Sequence, residues 1–208
     1  MSFSTTDDLE RRLSRLDPLD GDATAPSWGD GGAQALREAA AEARALTPAA
    51  VLVPVVRRPA GWTLLLTVRT ATMPTHAGQV AFPGGRVQAE DAGPLATALR
   101  ETAEEIGLAG RFIRPLGRYG AYQTGTGFAV TPVVAFVEPG FVLKPDPREV
   151  DEVFETPLDF LLNPANHQRH SREFNGRTRA FYAMPWKKYY IWGATAGMIR
   201  ALYERLYG

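Results

Sequence analysis

Residues 82–108 read FPGGRVQAEDAGPLATALRETAEEIGL, a stretch that combines a glycine turn, a loop and one acidic helix. Pro94 suits the first turn of a helix, because the N–H that proline lacks would have no partner within the helix there. Gly107 suits the left-handed residue that often follows the end of a helix. The sequence therefore predicts a helix from about Pro94 to Ile106, with the rest of the chain arranged around it.

The predicted helix has one core face and one acidic face. At about 100° per residue its side chains separate into two sets, a core set of Leu95, Leu99, Thr102 and Ile106 and an acidic set of Glu101, Glu104 and Glu105. Three glutamates within little more than one turn repel each other. A hard divalent cation such as Mg²⁺ would relieve this repulsion, because it prefers oxygen ligands. The alternative is an acidic face that is simply solvated.

The end of this stretch, residues 100–108, reads RETAEEIGL. An Arg-Glu pair, two spacers, a Glu-Glu pair, one further residue, a glycine and an apolar residue follow one another at fixed spacing, and the segment resembles the Nudix box of Nudix hydrolases. Counting from Gly85, the acidic position of the box falls on Asp91, and the gap from Asp91 to Arg100 is one residue longer than in the general pattern. This longer box resembles the variant found in the coenzyme A diphosphatase branch.

A second motif precedes the box and resembles a signature of the coenzyme A diphosphatases that most other Nudix enzymes lack. Its matching positions are Arg69, Gly78 and the FPGG run at residues 82–85. Two positions differ, since Thr70 stands where serine or alanine is usual and Pro74 stands where a basic residue is usual. The 3′-phosphate of coenzyme A needs positive partners, so Arg86 is a candidate to replace the missing cation.

Composition limits the other classes of function. At 208 residues and 45% hydrophobic content the chain can bury a sizeable core, and one domain with appendages is expected. Basic and acidic residues balance at 23 each, so neither nucleic acid nor an acidic membrane is expected as a partner. Without cysteine there is no disulfide, no cysteine-ligated zinc and no thiol nucleophile. No apolar run is long enough to span a bilayer and no signal peptide is recognisable, so a cytoplasmic location is expected.

Short apolar runs on both sides of the acidic helix predict strands. They cover residues 50–56, 62–68, 112–122, 128–137 and 150–156, followed by a short helix at 158–162, a hairpin around Asn175-Gly176 in residues 172–184, and a final helix from Trp192 onward. Strands that flank an internal helix, with helices at both ends, predict a mixed sheet between helices. The resemblance implies the α/β/α sandwich of Nudix proteins, in a Nudix hydrolase domain of residues 49–208.

Residues 1–48 are predicted to form a helical N-terminal region. Leu9, Leu13 and Leu16 recur at helical spacing, residues 18–32 are rich in glycine and proline and predict a loop, and the alanine-rich residues 34–46 predict a second helix. The first helix is expected to pack on the domain or on a partner subunit. The second alternative would make the protein a homodimer.

The resemblance implies metal-dependent hydrolysis of a diphosphate, with Mg²⁺ or Mn²⁺ as the cofactor. Glu101 and Glu105 are the expected metal ligands, and Glu104 is either a third ligand or the base that activates water. Arg100 is expected to orient Glu101 or its neighbours through a charge-assisted hydrogen bond. The predicted catalytic residues are therefore Glu101, Glu104 and Arg100.

The substrate is expected to contact the residues before the box. Gly84 and Gly85 allow the backbone to approach a ligand closely. Arg69 either forms a surface ion pair or binds phosphate oxygens, for which a guanidinium is well shaped. Arg86 follows the glycines and completes the predicted substrate-binding set. In a later block, Glu152 or Glu155 either contacts metal or water, or lies on the exposed face of an edge strand.

The expected substrate is coenzyme A, or an acylated or oxidised derivative, cut into adenosine 3′,5′-bisphosphate and a 4′-phosphopantetheine product. One alternative is a Nudix hydrolase of another nucleoside diphosphate derivative, such as ADP-ribose or a nucleotide sugar, or of a nucleoside triphosphate. Another is a nucleotide-binding sensor that has lost turnover. The presence of Glu101, Glu104 and Glu105 favours an enzyme over a sensor.

Overall fold

The structure is a computed structural model that describes residues 6–19, 28–29, 46–72, 76–174 and 177–208. Its helices are α1 (Thr6–Leu13), α2 (Pro94–Ile106), α3 (Leu158–Leu161) and α4 (Gly193–Tyr207), with 3₁₀ turns at Gly110–Phe112 and Pro164–Asn166. Its strands are β1 (Trp28–Gly29), β2 (Thr47–Arg58), β3 (Gly61–Arg69), β4 (Val80–Ala81), β5 (Gly84–Arg86), β6 (Ile113–Arg118), β7 (Tyr122–Gln123), β8 (Phe128–Val137), β9 (Val150–Pro157), β10 (Gln168–Phe174), β11 (Arg177–Trp186) and β12 (Tyr189–Trp192).

Within the described ranges, nine strands form one mixed sheet, and β10, β11 and β12 form a small antiparallel sheet. The large sheet follows the order β1-β7-β8-β2-β3-β4, with β5 paired to β2, β6 to β8 and β9 to β3. The long central strands β2 and β8 run parallel, whereas β2 and β3 form an antiparallel hairpin. The prediction of an α/β fold with a mixed central sheet is confirmed.

A split between β2 and β3 determines where the glycine turn lies. The two strands pair near their shared turn at residues 55–58 and 61–64 and then diverge. The segment of residues 80–86 enters this gap, where β4 pairs with β3 and β5 pairs with β2. The amide of Leu52 also donates to the carbonyl of Pro83 at 2.9 Å. Gly84 and Gly85 are thereby held in the middle of the sheet.

Two hydrophobic clusters cover the two faces of the large sheet. One cluster joins Leu52 and Leu65 of the sheet to Ala98 and Ile106 of α2. The other joins Val53, Leu64 and Leu66 to the small sheet and to α4, through side chains such as Met184, Ile191 and Leu202. Burial of Ala98 and Ile106 fixes the rotation of α2 about its axis, because these residues must face the sheet. The sheet is therefore sandwiched between α2 and α4.

The N-terminal helix α1 packs on the same domain. Leu9 and Leu13 are buried in the cluster that contains α4, and Arg15 donates to the carbonyl of Leu206 at 3.0 Å. The predicted helix at residues 34–46 lies outside the described residues except for its last residue. No helix within the described ranges is long and apolar enough to cross a bilayer.

Three local predictions are corrected by the structure. The single strand predicted at residues 112–122 is divided into β6 and β7, because Tyr119 between them is buried with its hydroxyl on the carbonyl of Met198. The predicted loop at residues 18–32 contains β1, whose partner β7 is distant in sequence. The small sheet has a third strand, β12, beyond the predicted hairpin. The predicted turn at Asn175-Gly176 lies outside the described residues, and the flanking residues Phe174 and Arg177 pair with each other.

Candidate active site

The acidic helix α2 has the predicted bounds. Pro94 occupies its first turn, and Gly107 ends it in the left-handed region at φ 67°, with its N–H donated to the carbonyl of Ala103. A Cβ at position 107 would also lie 3.0 Å from the Cβ of Lys144. Glycine is therefore required there both for conformation and for space.

Asp91 and Arg100 form a bidentate pair, called here the clamp. The Nε and Nη2 atoms of Arg100 donate to the two carboxylate oxygens of Asp91 at 3.0 and 2.9 Å. Asp91 also accepts from the amide of Gln88 at 2.9 Å and from the hydroxyl of Thr97 at 2.8 Å. These bonds, with Arg100 first, hold the pKa of Asp91 well below its ordinary value. The clamp ties the loop before α2 to the helix itself.

The same guanidinium holds two of the three glutamates. Its Nη1 atom donates to Glu101 at 2.8 Å and to Glu104 at 3.2 Å. The predicted bond from Arg100 to Glu101 is thus present in the structure. The side chain of Glu104 is 60% exposed, whereas that of Glu101 is 16% exposed. Part of the repulsion along the acidic face is therefore relieved by a cation of the chain.

Glu105 lies in a different environment, because its side chain is only 5% exposed. Its carboxylate accepts one hydrogen bond, 3.1 Å long, from the amide of Gly84. Burial raises the pKa of Glu105 from 4.5 to about 7, and the Gly84 bond and the charge of Arg69 only partly oppose this. The positive charge near Glu105 is therefore too weak to offset the burial of its ionised form.

Arg69, the last residue of β3, is the nearest cation to Glu105. Its Nη1 atom lies 3.7 Å from the Glu105 carboxylate, an ion-pair distance without a hydrogen bond. Its Nε is buried and, within the described part of the chain, has no hydrogen-bond partner. An unpaired buried donor is costly, so a ligand oxygen that reached it would be favoured. Around Arg69 the backbone is fixed by bonds to Gln79 and Gly78.

The two glycines of the turn are needed for close packing. A Cβ at Gly84 would lie 2.4 Å from the carbonyl oxygen of Ala50, and one at Gly85 would lie 2.4 Å from the carboxyl carbon of Glu101. Glu101 and Glu105 therefore both reach the glycine turn. Arg86 turns its guanidinium over the ring of Phe128 at 5.2 Å, and its carbonyl accepts from Arg100.

A residue that the sequence analysis missed is Glu149. Its carbonyl accepts from the amide of Thr70 at 3.0 Å, which places it at the end of β3 beside Arg69. Its negative charge contributes to the raised pKa of Glu105. The signal in the sequence is its position immediately before β9, because β9 pairs with β3 and its first residue lies opposite Arg69.

The two later glutamates that the sequence suggested have partners of their own. Glu155 accepts from Arg58 at 3.0 Å and from the hydroxyl of Thr63 at 2.6 Å. Glu152 accepts from Tyr189 at 2.7 Å and pairs with Lys188 at 2.9 Å. Both side chains are therefore engaged away from the three glutamates of α2.

The carboxylates at the glycine turn suit a hard divalent cation by their chemistry. They offer only oxygen donors, and the charge of Arg69 compensates the buried Glu105 only in part. The sequence predicts three converging ligands, but the structure brings Glu101 and Glu105 together and leaves Glu104 exposed. Among the described residues, no group of three or more potential ligands is gathered closely enough to hold a metal ion. Mg²⁺ commonly takes one or two carboxylates and completes its shell with water and phosphate, so Glu101 and Glu105 could hold it without a third protein ligand.

Comparison with known proteins identifies the family. Residues 46–175 match the model of the NUDIX domain. A Nudix hydrolase NudL of Photorhabdus laumondii, named as uncharacterised, is 38% identical over 158 residues, which cover 76% of this chain and 84% of that protein. A protein of the same name from Cronobacter sakazakii is 43% identical over 154 residues, covering 74% and 80% of the two chains. The chain belongs to the Nudix family and is a hydrolase of that family.

Solved structures of the family are more distant in sequence. The Nudix hydrolase RenU of M. smegmatis aligns with a TM-score of 0.45 at 22% identity, covering 67% of this chain and 81% of RenU. A MutT/nudix family protein of Enterococcus faecalis aligns with a TM-score of 0.47 at 14% identity, covering 96% and 74% of the two chains.

Proposed function

We propose that this Nudix hydrolase cleaves the diphosphate of coenzyme A, or of an acylated or oxidised derivative, with Mg²⁺ or Mn²⁺ as cofactor. The products are adenosine 3′,5′-bisphosphate and 4′-phosphopantetheine or its acylated form. One observation carries the proposal: Arg69, from the coenzyme A signature, lies 3.7 Å from Glu105 of the Nudix box. The two motifs, which are separated in sequence, therefore contribute to one site.

The state of Arg69 supports a role in binding phosphate. Among the described residues, the side chain has one charged neighbour at ion-pair distance, Glu105, and its buried Nε has no hydrogen-bond partner. A guanidinium with an unused donor is well suited to a phosphate oxygen, which it can bind through charge-assisted hydrogen bonds. Gly84 and Gly85 leave room for the chain's own groups, because a Cβ there would lie 2.4 Å from the Ala50 carbonyl oxygen and 2.4 Å from the Glu101 carboxyl carbon. The two glycines therefore let the carboxylates of α2 lie against the turn.

The carboxylates would hold the cation. Glu101 and Glu105 are the proposed ligands, and Glu104 is either a third ligand or the base that activates water. When bound, Mg²⁺ or Mn²⁺ would neutralise phosphoryl oxygens and lower the pKa of a bound water. Arg100 keeps Glu101 oriented through its 2.8 Å bond, and the clamp to Asp91 fixes Arg100 in turn.

In the proposed reaction the oxygen of a water molecule attacks one phosphorus atom of the diphosphate, and the bond from that atom to the bridging oxygen breaks. The bridging oxygen leaves on the other phosphate, and the proton of the water passes to a carboxylate of the chain. Glu104 and Glu149 are the two candidates for this base. Glu104 is 60% exposed and accepts from Arg100 at 3.2 Å, whereas Glu149 lies beside Arg69 at the end of β3.

The test is a product-resolved assay of the full chain with Mg²⁺ or Mn²⁺. Coenzyme A should be converted to adenosine 3′,5′-bisphosphate faster than ADP-ribose, diadenosine polyphosphates or nucleoside triphosphates are hydrolysed. Faster turnover of one of the other substrates would assign the protein to another branch of the family. Absence of metal-dependent hydrolysis with every substrate would favour the nucleotide-binding sensor.

A further inference from the structure

Beside the small sheet lies an open cleft of about 340 Å³, which the proposed reaction does not use. We propose that this cleft binds the nucleoside 3′-phosphate end of the substrate and determines which nucleotides the enzyme accepts. The inference rests on the proposed function for the identity of the substrate. Its lining includes Val68 and Gly78 on one side and Lys188, Tyr190 and Trp192 on the other.

The cleft connects to the proposed catalytic end. Val68 precedes Arg69 on β3, and the amide of Gly78 donates to the carbonyl of Arg69 at 3.0 Å. Val68 packs against the cluster that contains the small sheet, whereas Arg69 lies 3.7 Å from Glu105, and the register of β3 against β9 shifts between these two residues. A ligand whose diphosphate lies at Arg69 can therefore extend around the end of β3 into the cleft.

An aromatic row borders the cleft on the small sheet. The ring centroids of Tyr190 and Trp192 are 6.3 Å apart, those of Trp192 and Phe181 5.5 Å, and those of Phe181 and His170 5.6 Å. Tyr190 is 47% exposed, so its ring is accessible to a ligand in the cleft. Flat exposed rings are the surfaces on which nucleobases stack.

Charged groups beside the rings suit a ribose phosphate. Lys188 is exposed and pairs with Glu152, and the guanidinium of Arg172 lies 5.4 Å from the ring centre of Trp192. A phosphate on the ribose would attract these two cations, and the carboxylate of Glu152 could accept a hydrogen bond from a ribose hydroxyl. The combination of rings, cations and one acceptor favours a nucleoside phosphate over the uncharged pantetheine arm.

The experiment measures direct binding of the two product fragments by calorimetry with Mg²⁺. Tyr190→Ala should raise the Kd of adenosine 3′,5′-bisphosphate at least about fivefold, the lower end of what one lost stacking contact costs. The Kd of 4′-phosphopantetheine should change less than about twofold, a change that counts as none in this comparison. Tyr190→Phe keeps the ring and should bind the bisphosphate as the wild type does.

Lys188→Gln tests whether Lys188 binds the 3′-phosphate of the ligand. It should weaken binding of adenosine 3′,5′-bisphosphate while leaving binding of AMP, which lacks the 3′-phosphate, unchanged. Arg57→Ala is the matched control, because it removes an exposed cation from the β2–β3 hairpin. Thermal melts of all variants establish that each is folded.

Several outcomes would overturn the inference. Loss of binding for phosphopantetheine alone, equal loss for both fragments, or no loss for either would each exclude the cleft as the nucleoside site. A change in sedimentation of Tyr190→Ala without a change in Kd would make the aromatic row a contact between subunits. If coenzyme A is not hydrolysed but bisphosphate binding depends on Tyr190, the proposed function fails and this inference stands. If coenzyme A is hydrolysed but bisphosphate binding does not depend on Tyr190, the proposed function stands and this inference fails.

Discussion

Two of the carboxylate–arginine contacts made by helix α2, Asp91 with Arg100 and Glu105 with Arg69, differ in almost every physical respect. In the clamp, Asp91 accepts two hydrogen bonds of 2.9 and 3.0 Å from Arg100. Asp91 also accepts from the amide of Gln88 and from the hydroxyl of Thr97. At the other end Glu105 is buried, 3.7 Å from Arg69, with one hydrogen bond to Gly84. The carboxylate of Asp91 therefore has its hydrogen-bond partners within the chain, whereas Glu105 and Arg69 form no hydrogen bond with each other.

This difference separates a structural contact from a reactive one. The pKa of Asp91 lies below its ordinary value because its bonds favour the charged form, whereas that of Glu105 is raised to about 7 because burial disfavours it. Strongly perturbed carboxylates without full partners are typical of functional sites. The clamp should therefore matter chiefly for stability, and the Glu105–Arg69 pair chiefly for activity.

Glu105→Gln should have the largest effect on turnover. We expect a loss of roughly a hundred- to ten-thousand-fold in kcat, the range seen when one group that acts on the transition state is removed. Glu138→Gln, at an exposed glutamate directly after β8, is the control and should be as active as the wild type. Steady-state kinetics with coenzyme A provides the measurement. Near-normal kcat in Glu105→Gln would remove Glu105 from the catalytic machinery.

The metal-free protein should lose stability as pH rises between about 4.5 and 7. The folded state keeps a proton on Glu105 up to a pKa of about 7, whereas the unfolded chain releases it near 4.5. The folded state thus binds more protons in this window, so raising the pH favours unfolding, by at most about 3 kcal/mol. Chemical denaturation with chelator at several pH values measures this slope. The free energy of unfolding should fall less steeply with pH in Glu105→Gln. An identical slope in the two proteins would contradict the raised pKa of Glu105.

Arg69→Met should lower the catalytic efficiency, because it removes a proposed phosphate-binding group. A charge-assisted hydrogen bond to phosphate is worth about 1.5–3 kcal/mol, so kcat/KM should fall roughly ten- to 150-fold. Arg69→Lys should recover part of this, because it restores the charge without the planar fork. The melting temperature should change little, since the contact with Glu105 is long. A large fall in melting temperature with unchanged kcat/KM would make Arg69 a structural residue.

Asp91→Asn should show the opposite balance. Loss of the bidentate pair with Arg100 frees the loop before α2 and should lower the melting temperature by a few degrees. Activity should fall less than in Glu105→Gln, because the glycine turn and Glu105 remain in place. Comparing melts and kinetics of the two variants checks this directly. If Asp91→Asn proved the less active variant and the more stable one, the contrast between the two pairs would be wrong.

The sequence predicts those parts of the site that depend on local signals. Pro94 and Gly107 determine the bounds of α2. The predicted acidic face is found only in part, because Glu104 is exposed whereas Glu105 is buried. The contribution of Arg69 depended on a family resemblance, because no local pattern links it to Glu105. Glu149 was missed because its proximity to Glu105 follows from the pairing of β9 with β3.

Strand pairing explains the other differences as well. The short strand β1 lies far from β7 in the sequence, so residues 18–32 show only a loop pattern. The break between β6 and β7 depends on a buried bond from Tyr119 to Met198, which alternation of apolar residues does not encode. The aromatic row is formed by three strands, and its members resemble ordinary core residues in the sequence.

The most direct test is a crystal structure of the protein with Mn²⁺ and adenosine 3′,5′-bisphosphate, with the metal located by its anomalous signal. We expect the ion within coordination distance, about 2.1 Å for a hard cation of this size, of carboxylate oxygens of Glu101 and Glu105, with Arg69 on the phosphate. The Asp91–Arg100 clamp should remain intact. An ion bound elsewhere, with Glu101 and Glu105 bearing no metal and Arg69 turned away from the ligand, would contradict the account.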